Sequence, residues 1–261
     1  NVAADVAQDD ASNKNIAATA FSTLYDISKP SITITSDVSN PTNKAFTTTF
    51  TFSEYVEGFE LNDINLGNAI ASNFTNITPV KTSNVGGGTT FTVLITPIID
   101  GQVTIDVAAN VANDSALNIN TAAKQFSTIY DVIKPNITIT SVAQNPTNND
   151  FTAIFTFSEE VSNFVIGDIT LNNATASNFV STSGSVYTAT ITPTTNGNVT
   201  IDVAADVAND AATNSNTEAN QFSIEYDFVS PTVTITSTVS NPTNSSFTTT
   251  FTFSEDVTGF V

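Results

Sequence analysis

The residues best equipped for chemistry in this chain are oxygen donors, and they come in sets. Asp26, Glu54, Asp63, Asn113, Asp114 and Asn118 form the first. Asp131, Glu159, Asp168, Asn209, Asp210 and Asn214 repeat it in order, with Asp206 added where the first set has Asn110. Asp227 and Glu255 begin a third. Carboxylates drawn together with few lysines nearby repel one another unless a cation lies among them. The chain has no His and no Cys. An ion held by oxygen alone is a hard one, and roughly six to eight oxygens suit Ca2+. The plainer use of the same residues is structural, since Asp and Asn shape turns and caps.

The inventory also excludes functions. Without His, neither a Ser-His-Asp nor a Cys-His mechanism can be assembled. Paired carboxylates could serve a glycosidase, but these recur in every repeat with no catalytic partner that varies, so no enzyme is expected. Asp and Glu number 25 against six Lys, a net charge of −19. Nucleic acid or an anionic membrane would need the opposite sign, and no stretch is long and apolar enough to cross a bilayer.

The elements that position these residues repeat with them. The run Pro-x-Ile-Thr-Ile-Thr-Ser begins at Pro30 and returns in kind from Pro135 and Pro231, periods of 105 and 96 residues. The difference falls in one Gly-rich stretch around Gly86-Gly87-Gly88, which reads as a surface loop. The expected division is 30–134 and 135–230 as complete repeats, 1–29 as the tail of one and 231–261 as the front of another, a window on a longer array.

Apolar residues alternate with Thr and Ser at period two, the pattern of half-buried strands. In the first complete repeat, strands are expected at 31–36, 45–53, near 72–77, 89–96, 102–109 and 124–130. Phe46, Phe50, Phe52, Phe91, Val93, Ile95, Val103, Ile105 and Val107 point inward. The parity breaks at Asn62-Asp63 and again at Gly167-Asp168, which marks a bulge or a loop-to-strand junction at the mouth of the third strand. Seven short strands in about 100 residues indicate an all-β fold of tandem immunoglobulin-like β-sandwiches.

The series Phe-Thr-Phe-Ser-Glu-x-Val, Asp-Ile and Asp-Val-Ala-Ala-x-Val-Ala-Asn-Asp resembles the bacterial Ig-like domains of large surface adhesins. The resemblance implies a stalk or extender at the bacterial cell surface, often stiffened by calcium, with any adhesive tip elsewhere. Its partners would be neighbouring repeats of the same chain, with lateral self-association left open.

Topology leads to the same metal independently. With strands running up and down a sandwich, the linker carrying Asp26, the end of the second strand with Glu54, the mouth of the third with Asp63, and the loop with Asn113, Asp114 and Asn118 all reach one pole. Glu159 is expected at the equivalent pole, with Glu160 on the other face by parity. The alternative function is a glycan- or protein-binding module, although the inward parity of nearly every Phe leaves no aromatic platform for a sugar.

Overall fold

A computed structural model describes residues 1–78 and 87–261. The chain divides into two compact units, Asn1–Asp131 and Val132–Val261, and each is described alone.

In the first unit the strands are β1 (Ile32–Thr35), β2 (Phe46–Val56), β3 (Ile64–Gly67), β4 (Ala69–Asn76), β5 (Gly88–Pro97), β6 (Gly101–Val107) and β7 (Phe126–Tyr130). They form two antiparallel sheets, β1-β2-β5-β4 and β3-β6-β7. This four-plus-three arrangement is the constant-type immunoglobulin sandwich. The alternation dictates it, because one face of each strand is apolar and must be covered by the other sheet. Phe50, Val93, Ile95, Val103 and Ile105 are fully buried between the sheets, with Phe46, Phe52, Phe91 and Val107 nearly so. Thr48 is buried with them, and its hydroxyl has no hydrogen-bond partner among the described residues.

In the second unit β8 (Ile137–Thr140), β9 (Phe151–Phe157), β10 (Ile169–Asn172), β11 (Ala174–Ser181), β12 (Val186–Pro193), β13 (Gly197–Val203) and β14 (Phe222–Tyr226) repeat this order. The last segment adds one antiparallel pair, β15 (Val233–Thr236) with β16 (Thr250–Phe253).

The parity break is a single 3-10 turn, Leu61–Asp63 in the first unit and Ile166–Asp168 in the second. It re-aims the chain so that Phe59 enters the core before Ile64 begins β3. The Phe59 ring meets Phe52 and Phe91 edge-on, with both centroid distances 5.1 Å. Phe164 repeats this against Phe157 and Tyr187. β2 runs to Val56, beyond the expected end at Ser53, because Val56 pairs with Gly88 across a register shift. A Cβ at Gly87 would run into the Val56 carbonyl, so glycine is required there, whereas one at Gly88 would press on the Asn76 side chain. The remainder of the extra loop, 79–86 with Gly86, lies outside the described residues.

Candidate functional site

The loop between β6 and β7 is built around two side chains. Asn120, almost fully buried, accepts the Val111 and Ala112 amides at Oδ1, each at 2.9 Å, and donates from Nδ2 to the carbonyls of Ala108 and Thr121. Asp114 closes the inner turn. Its Oδ1 accepts the Ala116 and Asn118 amides at 2.8 Å, and its Oδ2 accepts Asn118 Nδ2 at 2.8 Å. Asn110 and Leu117 take positive φ, 68° and 67°. Asp210 with Asn214 and Asn216, and Asp9 with Asn13 and Asn15, make closely matching bonds. The pattern Asp-x-x-x-Asn-x-Asn thus writes one loop three times. Sequence reasoning overlooked the last Asn of each; the triplicate spacing was the available signal.

Three segments bring carboxylates together at this loop. Asp26, ahead of β1, Glu54, in β2, and Asp114 offer oxygens that all lie within 4.8 Å of one another. Oxygens bound 2.3–2.6 Å from a shared ion can be no more than about 5 Å apart, so the spacing suits one hard cation. Asp26 is placed by its own turn, its Oδ1 accepting the Ser28 amide at 2.9 Å, and its carbonyl accepts Asn118 Nδ2 at 3.2 Å. Among the described residues no lysine forms an ion pair with any of the three. Electrostatics registers the crowding. Burial, then the charges of Asp114 and Asp26, push the Glu54 carboxyl above its ordinary range. The bond from Asn118, with help from backbone amides, holds Asp114 below its own against an opposing effect of burial. Asp114 is therefore a settled anion, and Glu54 is the strained one.

With this geometry in place the comparison with known families is decisive. The family described as bacterial Ig-like domain matches residues 26–130 and 131–226. The chain belongs to that family. No curated protein matches it. Among solved structures, InvD of Yersinia pseudotuberculosis is similar at 13% identity and a TM-score of 0.33, over 85% of this chain and 66% of that one. A tetra-tandem repeat from the extending region of a large adhesion protein is similar at 15% and 0.31, over 86% and 56%. The Yersinia adhesin InvE is similar at 11% and 0.26, over 76% and 58%. The chain thus spans less than two thirds of the first two solved chains it resembles, and of InvE as well.

The matched Ig-like repeats begin at Asp26 and Asp131, so each linker aspartate opens a repeat. In the second Ig-like repeat, Glu159 and Asp210 bring their oxygens within 4.8 Å of each other. Asp131 closes the first unit, its amide donating to the Thr42 carbonyl at 2.9 Å. Glu160 lines a cleft of about 230 Å³ with Asn209 and Asp210. β9 ends at Phe157, so strand alternation no longer governs the residues that follow.

The remaining candidates of the Ig-like repeats have other work. Asp63 accepts the Glu60 amide at 2.7 Å and Asp168 the Val165 amide at 2.8 Å, each closing its 3-10 turn, and among the described residues neither joins a group of three carboxylates. Asn113 and Asn209 pair by backbone with Glu57 and Ser162. Asn118 and Asn214 buttress their aspartates through Nδ2. Asp206 takes φ 64°, the counterpart of Asn110, and its carboxylate meets exposed Lys134 at 4.0 Å. Asp227 accepts from Asn196 and from the Val229 amide. Glu255 lies exposed just past β16.

Proposed function

We propose that this chain is a structural segment, a stalk or extender of a bacterial cell-surface adhesin or extracellular filament. Calcium at the linker aspartates stiffens it. The observation that carries the reading is the meeting of Asp26 with Glu54 and Asp114, because a linker residue then shares an ion with the body of a repeat. By equivalence within the repeat, Asp131 serves with Glu159 and Asp210. The neighbouring repeats of the same chain are its partners, and no catalysis is assigned.

Between residues 30 and 226 no described Phe or Tyr is exposed, which favours a spacer over a sugar-binding module. Small-angle scattering on the full chain tests the reading. The longest dimension is expected to fall when a chelator replaces millimolar calcium, the range in which extracellular sites bind, with Kd about 10⁻⁴–10⁻³ M. Identical profiles in the two buffers would refute it.

A further inference from the structure

Each repeat carries an Asn-Pro-Thr turn between its first two strands, Asn40-Pro41-Thr42 and Asn145-Pro146-Thr147, which the metal reading does not use. Both turns lie against the last strand of their own repeat. Asn40 Oδ1 accepts the Ile129 amide at 3.0 Å. The Thr42 amide donates to the Ile129 carbonyl, and the Asp131 amide donates to the Thr42 carbonyl, each at 2.9 Å. In the second repeat Asn145 Oδ1 accepts the Glu225 amide at 3.0 Å, and Thr147 links Glu225 to Asp227 with the same two bonds at 2.9 Å. Thr42 with Tyr130, and Thr147 with Tyr226, are isolated parallel bridges. There the grip reaches the side chain: Asn196 donates to Asp227 Oδ1 at 2.8 Å and accepts the Phe228 amide at 3.0 Å.

β7 and β14 are edge strands, with backbone groups open on one side. The asparagine amide supplies the acceptor that a neighbouring strand would, and the turn docks there as a short parallel partner. We propose that Asn40 and Asn145 are positioning residues for the linker aspartates. They seat the turn, the threonine carbonyl holds the aspartate amide, and the carboxylate leaves each repeat at a set point. The proposal rests on the calcium reading only for what that carboxylate then binds. A ligand whose backbone is already held loses less freedom on binding than one on a loose linker.

Amide hydrogen exchange on the full chain in chelator tests the seat. Losing one such bond is expected to speed exchange of Ile129 and Asp131 about 3- to 10-fold in Asn40→Ala. Val93 and Ile95 should stay slow, and Asp227 unchanged. Asn145→Ala should do the same to Glu225 and Asp227 while sparing Asp131. Asn40→Asp keeps an acceptor oxygen and is expected to restore slow exchange at Asp131, which a general loss of stability would not allow. Uniform acceleration across the repeat, or slow Asp131 exchange in Asn40→Ala, overturns the proposal. In a calcium titration the same variant should weaken one binding event about 3- to 10-fold; an unaltered affinity also overturns it. If the wild-type chain takes up no calcium while the exchange pattern holds, the calcium reading fails and the clamp stands.

Discussion

Glu54→Gln keeps the size of the side chain and removes one charge from the trio. Its carboxylate lies within 4.8 Å of both Asp26 and Asp114. Two unit charges at that separation repel by about 1 kcal/mol where water screens them and by about 3.5 kcal/mol at an effective dielectric of 20. Glu54 is only half-buried, so the lower figure governs, and relief from two neighbours is worth about 1–2 kcal/mol. In chelator the variant is therefore expected to be more stable than wild type, and each kcal/mol should raise the melting point of a unit this size by about 4–8 °C. In calcium the gap narrows, and it reverses once the ion's contribution exceeds the relief. At 10 to 100 times Kd a bound ion adds about 1.4–2.7 kcal/mol to the native state, and the variant forfeits most of that. The pH dependence has a fixed sign. Because Glu54 is raised, the native state binds more protons than the unfolded chain between the ordinary value and the raised one. Stability in chelator should fall as pH rises through that window, and Glu54→Gln should flatten the fall. Asp114, lowered, acts oppositely: its contribution is present above its ordinary value and is lost as pH falls through the lowered one. Thermal scans of both proteins, in chelator and in calcium, with the second repeat as internal reference, decide the matter. A melting point that drops in chelator as well would show that Glu54 makes a favourable contact there, and the repulsion argument would be wrong.

Three further outcomes follow from the packing and the loop. Thr48→Val removes a buried hydroxyl that has no partner and should stabilise the first repeat by about 1 kcal/mol, read from chemical denaturation. Asn120→Ala strands two amides and two carbonyls and should cost about 2–4 kcal/mol, with calcium uptake weakened in a calorimetric titration. Glu159→Gln should lower calcium affinity in the second repeat more than Glu160→Gln, although both residues lie near Asp210; equal losses would move Glu160 into the ligand set.

The strands were legible because a sandwich imposes period two on both sheets, and the inward set around Phe50 and Ile105 follows from counting alone. The pole argument, which used only strand direction, anticipated that Asp26, Glu54 and Asp114 would meet. Asp63, Asp168 and Asp206 show where that reasoning ends. An aspartate that caps a 3-10 turn or occupies a left-handed φ has the same sequence signature as one free to bind a cation, and only the nearest amide tells them apart. Asn120 escaped notice because a buried asparagine that knots a loop carries no charge and belongs to no familiar metal pattern.

The parallel seat of Thr42 on β7 has a mechanical consequence. The first repeat is entered ahead of β1 and left after Tyr130, so tension along the chain pulls the Asn40–Thr42 turn and β7 in opposite senses along their common length. Their hydrogen bonds, from Ile129 to Asn40, from Thr42 to Ile129 and from Asp131 to Thr42, are loaded together in shear and cannot be peeled off one at a time. That turn of three residues therefore carries load together with the β1–β2 pairing through which tension reaches it, and its own bonds give way as a group.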